Sequence, residues 1–390
     1  MHEVRRYHAL DSLRGICAIS VVLYHTHLVG SVTDWAFFSN ADLFVEFFFV
    51  LSGFVMAHAY GSKSHLDFGH FFISRTFRLL PLHAFMLAVF IGLEFLKLAA
   101  YKQGFSFNQT PFTGMYAPSQ ILPNFLLLQS WTGLTENLSF NTPAWSISIE
   151  YWTYMVFAAT MLLASLGRPL MWAAISLLGF VLLYQQADVL TVYAQKGLGC
   201  FFAGALAYAF FNRLRHWVAP GFALMSVLEV LAVIAIWAVL TAELQQKLLA
   251  ASAVFCVAIV LFAFDGGMVS RLLKHEFFAR LGRLSYSIYL THLAVLFFVI
   301  SAFMVVQKNT GADVAPMLGD IRYLDTGHVW LNNLMVLLIL LVVVTISNAT
   351  YHYVELKGQA FGRQLLNAIS NAGTASGGDS AVRADTDRRA

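Results

Sequence analysis

Ten stretches of this chain are long and apolar enough to be read as membrane-crossing helices, near residues 9–29, 42–60, 79–99, 145–165, 170–187, 196–212, 221–241, 246–264, 284–306 and 330–353. A hydrocarbon core about 30 Å thick takes roughly 20 residues of helix. Inside lipid every backbone N–H and C=O must find a partner within the protein, so this pattern folds as a bundle of spanning helices. Composition agrees. Of 390 residues, 59% are hydrophobic and only 12% charged, too few charges to coat a water-soluble globule. A soluble enzyme, a disordered chain and a nucleic-acid-binding protein are excluded on that ground. The net charge of +3 fits positive inner loops rather than a basic groove. Cys17, Cys200 and Cys256 lie inside apolar stretches, so neither a disulfide framework nor a metal site is expected.

Charge placement orients the bundle. With the N-terminus inside, 18 of the 24 Lys and Arg residues fall on or near the cytoplasmic side and 6 fall outside or within spans. That bias predicts an all-α polytopic membrane protein of about ten transmembrane helices with both termini cytoplasmic, in the inner (cytoplasmic) membrane. Arg5 and Arg6 precede the first stretch as they would a signal peptide, but Arg14 and His25 interrupt it and no small-residue cleavage site follows, so it reads as a retained helix. The run at 121–131 is too short to span and reads as re-entrant or interfacial. One membrane domain is expected over residues 1–365. The small, polar segment 366–390 is expected to be a disordered cytoplasmic tail.

Ionisable residues inside spans are costly and are functional candidates by default. Arg14 and His25 are eleven residues apart, about 1100° of helical rotation, within roughly 20° of three full turns. Both therefore face the same way, about 16.5 Å apart along the axis. Arg14 could instead snorkel or pair with Asp11. His27 points elsewhere. Glu46, in DLFVEFFFVLSGF, needs a partner and could orient a histidine or form a structural bond; Ser52 and Gly53 read as close helix packing. Arg75 and Arg78 share one helix face at the inner side, where two guanidiniums could clamp a phosphate or anchor to anionic lipid. In TPAWSISIEYW, Ser146 and Glu150 share a face, as do Trp145 and Ser148. Glu150 could orient an imidazole or bond a neighbouring helix. His292 and Glu355 have structural and functional readings. Glu94 and Lys97 are expected to neutralise each other, and Glu229 has no evident purpose.

The order of these motifs resembles the acyltransferase-3 family of integral membrane O-acyltransferases. LDSLRGICAISVVLYH is similar to its first-helix signature, with Arg14 and His25 in place. FFFVLSGF is similar to its second-helix signature, with Glu46 at the acidic position. FFISRTFRLLP carries the RxxR pair Arg75 and Arg78, and PAWSISIE carries Ser146, Ser148 and Glu150. LGRLSYSIYLTH, ending at His292, and YHYVELKG, with Glu355, complete the series over about residues 7–358. His83 departs from the usual aromatic, and Lys357 stands where a proline is usual.

The resemblance implies an acyl-CoA co-substrate, by default acetyl-CoA, with no bound cofactor. It implies a hydroxyl-bearing carbohydrate or small-molecule acceptor, met in the membrane lipid environment. Arg14, Arg75 and Arg78 would hold donor phosphates. His25 would act as general base or as nucleophile, helped by Glu46 or Glu150, with Ser146, Ser148, His292 and Glu355 as further candidates. The rival expectations are a secondary transporter or exporter of a small polar solute, and a different acyltransferase fold using a lipid donor.

Overall fold

A computed structural model describes residues 6–105, 107, 109–163, 167–216 and 221–386, with side chains described to 371. In chain order the helices are α1 (His8–His25), α2 (Phe44–Tyr60), α3 (Phe68–Lys102), α4 (Ile121–Phe125), α5 (Ala144–Leu163), α6 (Arg168–Tyr184), α7 (Val192–Leu214), α8 (Phe222–Thr241), α9 (Lys247–Phe264), α10 (Met268–Leu273), α11 (Glu276–Thr310), α12 (Val329–Thr350) and α13 (Leu356–Thr386). A π-turn at Tyr351–Glu355 joins α12 to α13. Among the described residues the one sheet is a short antiparallel pair, β1 (Met317–Leu318) and β2 (Ile321–Arg322), in the α11–α12 connection.

Each of the ten expected stretches overlaps a helix, but not all ten meet the same standard of length and apolarity. Seven helical segments are long and apolar enough to span: those of α2, α3, α7, α8, α9, α11, and α12 with its continuation to Asn371. The other three are α1, α5 and α6. α1 and α5 spend much of their length on polar residues turned into the bundle, including buried Ser12, Ser146, Ser148 and Thr153, and α6 has only 17 residues.

Boundaries shift where caps dictate. α3 starts eleven residues before the expected span because Asp67 caps it, its side chain accepting from His70 N at 2.9 Å. At 35 residues α3 and α11 are each about 52 Å long, more than the hydrocarbon core is thick. α1 ends at His25, where Thr26 Oγ1 donates to Val22 O at 2.7 Å and the chain turns into a bridge with Leu324. The 121–131 run contains only the short α4, docked to α3 by His83 Nε2 donating to Asn124 O at 2.8 Å. α13 crosses the expected 365/366 boundary, and the tail's side chains beyond 371, like Arg5, lie outside the described residues.

Small residues set the helix crossings. Gly53 of α2 lies against the backbone of Phe201, and Gly204 of α7 against that of Val50, so a Cβ at either would strike a carbonyl. Gly15 of α1 and Gly282 of α11 meet in the same way. Ten residues beyond each of those glycines stands a histidine, His25 and His292, and these two also touch. Two contacts at equal offsets mean that α1 and α11 run parallel and in register.

Buried Glu229 gains its explanation here. Its carboxylate accepts from Gly267 N, Ser270 N and Ser270 Oγ at 2.9, 2.9 and 2.6 Å, fastening the start of α10 to α8. Glu229→Ala should leave those buried donors unmet and cost about 3 kcal/mol. The expected result is a lower melting temperature in detergent; an unchanged one would show that the donors find other partners.

Candidate functional site

Three arginines meet at one end of the bundle. Arg14 comes from α1, Arg75 and Arg78 from consecutive turns of α3, and all three line one hollow of about 350 Å³ together with Ser52, Met56 and Tyr154. None has a carboxylate within ion-pairing distance among the described residues, although each is partly buried. Arg75 donates to Met56 Sδ at 3.9 Å and Ser74 Oγ at 3.3 Å and lies over the rings of Tyr60, Phe71 and Tyr154, and its buried Nε has no hydrogen-bond partner among the described residues. Asp11, the candidate partner for Arg14, pairs instead with Arg6 at 2.8 Å. Asp11 also lines the hollow, and Glu150 and Glu355 act on Arg78 through space, but converging guanidiniums that no carboxylate contacts directly suit a bound anion.

A second, narrow hollow of about 40 Å³ continues inward from the first. Arg14 and Ser52 border both, and Ser146, Glu150, Tyr286 and Tyr289 complete its wall. The shared face of Ser146 and Glu150 is thus on the site. Ser146 Oγ lies 3.1 Å from Pro143 O and 3.0 Å from Tyr289 OH. Glu150 Oε1 accepts from Ser52 Oγ at 2.6 Å and also from Tyr154 OH. Its recorded partners are hydroxyls, not the imidazole expected from the sequence. Tyr286 OH donates to Leu79 O at 2.6 Å, tying α11 to α3.

One turn beyond Tyr289 lies His292, its ring 6.1 Å from the tyrosine ring. His292 Nε2 is 3.2 Å from His25 Nδ1. His25 Nδ1 is also 3.0 Å from Val21 O, and His292 Nδ1 is 3.2 Å from Ile288 O. A carbonyl can only accept, so both Nδ1 atoms carry protons in the neutral rings. His292 Nε2 is then bare and accepts from His25 Nδ1–H. The second nitrogen of His25, Nε2, is left with a free lone pair and makes no hydrogen bond among the described residues. That nitrogen has the protonation state of a general base or nucleophile. The expected alignment of Arg14 with His25 holds, since both meet α11, Arg14 beside Ser285 and Tyr286. His27 points away, onto Tyr323. It lies past the end of α1, and burial keeps its pKa below the ordinary imidazole value.

Two acidic candidates are corrected in their partners. Glu46 is buried, but its Oε1 pairs with Lys196 of α7 at 3.4 Å and its Oε2 is unbonded. Lys196 sits in the N-terminal part of α7 opposite Glu46, and only packing could bring them together. Glu355, in the π-turn, accepts from Ser287 Oγ at 2.9 Å and Gln359 Nε2 at 3.2 Å. It forms no ion pair but lines a further hollow with Arg14 and Arg78. Ser148 is structural: its Oγ donates to Leu127 O at 2.6 Å, holding the segment after α4. Glu94 and Lys97 do pair, at 2.8 Å. Sequence reasoning missed Ser52, Tyr154, Tyr286 and Tyr289. Tyr286 and Tyr289 sit in SYSIYLTH six and three residues before His292, and Tyr154 lies one turn beyond Glu150, signals that were available.

Comparisons with known proteins place the chain in a family. A family model described as an acyltransferase domain, acyltransferase 3, matches residues 7–352. A Rhizobium radiobacter protein named protein 2 in the picA locus is 32% identical over 187 residues, covering 44% of this chain and 91% of that protein. The Bacillus subtilis protein YrhL, named for peptidoglycan O-acetylation, is 38% identical over 76 residues, 18% of this chain and 11% of its own length. The acyltransferase MdmB of Streptomyces mycarofaciens is 28% identical over 171 residues, 40% of this chain and 39% of its own. This chain therefore spans well under half of the last two relatives. No solved structure matches. With the family model covering nearly the whole bundle, the chain belongs to the acyltransferase-3 family of membrane O-acyltransferases.

Proposed function

We propose that the protein moves an acyl group, acetyl by default, from cytoplasmic acyl-CoA to a hydroxyl of a carbohydrate or other acceptor on the outer side or in the membrane. In this reading the chain crosses the inner membrane ten times, α1, α5 and α6 included, and both termini are cytoplasmic. The observation that carries the proposal is the set of three guanidiniums without a directly paired carboxylate, lining a hollow that adjoins a narrower one whose Tyr289 wall stands one turn from the His25–His292 pair. Donor phosphates sit on Arg14, Arg75 and Arg78. The pantetheine arm runs past Ser52 and Tyr289, along the roughly 16.5 Å between Arg14 and His25. The narrow hollow of about 40 Å³ must widen to admit it. Names of two relatives point to acyl transfer, which favours this reading over transport.

The chemistry follows from the tautomer. The acceptor hydroxyl gives its proton to His25 Nε2 while its oxygen attacks the thioester carbonyl. The resulting imidazolium keeps Nδ1–H on Val21 O and His292 Nε2, so those two acceptors stabilise the charge that Glu46 or Glu150 was expected to meet. The tetrahedral intermediate collapses, the C–S bond breaks, and the CoA thiolate takes the proton back from Nε2. An ester and CoA leave, and the imidazole is restored. Attack by Nε2 itself on the thioester, giving an acyl-histidine that the acceptor then cleaves, uses the same lone pair.

The donor site is tested by titrating acetyl-CoA into the protein in nanodiscs. Arg75→Ala/Arg78→Ala should weaken binding about 100-fold, since each charge-assisted contact is worth ~1.5–3 kcal/mol. Unchanged affinity would remove the donor assignment. His25→Ala should abolish transfer and leave acetyl-CoA affinity intact; full activity in that variant would sink its role.

His292 is a positioning residue in this scheme. His292→Ala should lower kcat at least about tenfold without moving the donor KM. His292→Gln, which keeps an acceptor oxygen, should recover part of the loss. A KM effect alone, or equal damage from both substitutions, would argue that His292 only packs.

A further inference from the structure

On its other side, the Arg75–Arg78 turn borders a second inner hollow of about 350 Å³. His70 and Ser74 of α3 and Gln359 and Arg363 of α13 line it with the two arginines. No carboxylate lines it, so three guanidiniums and an imidazole face one space without a counter-charge. The approach of α13 is what brings Arg363 there. Gly358 lies against Pro81 and Gly362 against Phe77, where a side chain on either glycine would strike α3. Arg363 is exposed and in no ion pair among the described residues.

We infer that this hollow is the subsite for a phosphate monoester at the nucleotide end of the donor, the 3′-phosphate of CoA, with Arg363 and His70 as its added ligands. The inference rests on the acyl-CoA reading above. The direction of the arm decides the assignment. Pantetheine must run inward from the pyrophosphate through the hollow that holds Arg14. The ribose and its phosphate then lie on the opposite side of the pyrophosphate, toward α13. A monoester carries close to two negative charges at neutral pH, more than a diester, and so gains most from an added guanidinium. Arg75 and Arg78, bordering both hollows, bridge the two phosphate groups.

The test compares CoA with dephospho-CoA, which lacks only that phosphate, in nanodiscs of zwitterionic lipid. Wild type should bind CoA about tenfold more tightly, as one charge-assisted contact requires. Arg363→Ala should bring CoA down to the affinity of dephospho-CoA and leave dephospho-CoA where it was. Arg363→Lys should restore part of the difference. Equal affinity of wild type for the two ligands would overturn the subsite while leaving the donor reading standing. Equal loss of both ligands in Arg363→Ala would also overturn it. So would an Arg363→Ala effect seen only in discs of anionic lipid, which would assign the arginine to headgroups. Binding of neither ligand by folded wild type would bring down the donor reading and the subsite together.

Discussion

The close parallel contact of α1 and α11 is the constraint on which the site depends. Gly15 and Gly282 let two backbones touch at one end, and the two helices then keep register for ten residues in each chain segment. That register fixes which residues can meet. It sets Arg14 beside Ser285 and Tyr286 and sets His25 beside His292. A side chain at either glycine would push the pair apart and misplace both ends of the site at once. Packing with no chemistry of its own thus decides where the chemistry can be.

Arginines serve two purposes in this bundle, and their surroundings distinguish them. The Arg168 guanidinium donates to three backbone carbonyls, those of Gly61, Lys63 and Met161, at 3.2, 2.6 and 3.3 Å. It closes off chain ends and has little capacity left for a ligand. Arg14, Arg75 and Arg78 have no comparable set of acceptors, although they too are withdrawn from bulk water. The low dielectric around them strengthens attraction to an arriving anion and makes the empty state expensive.

Much of this was legible in the sequence because it is local. The Arg14–His25 alignment, the shared face of Ser146 and Glu150 and the Glu94–Lys97 pair each follow from helical periodicity within one segment. Partners across helices were not legible. Glu46 meets Lys196 some 150 residues away, and Glu229 finds the start of α10 at a separation of 38 and 41 residues; the crossing angles that join them are decided by the whole bundle. Ser52 illustrates the mixture. It sits next to Gly53 at a true close-packing point, yet its hydroxyl turns the other way, onto Glu150. The ten expected spans overlap ten helices, but α1 and α5 fall short on apolarity because their polar faces build the interior.

The histidine pair joins residues 267 positions apart, one from the first helix and one from α11. During synthesis α1 enters the membrane long before α11 exists. Until then, Arg14 and His25 lack the helix that encloses them, and an arginine and a histidine must wait in the bilayer or at its edge. The nascent chain therefore holds His25 with its Nδ1–H already directed at Val21 O within α1, but without the second acceptor, His292 Nε2. The histidine pair is complete only once α11 has packed against α1, so a prematurely ended chain lacks it.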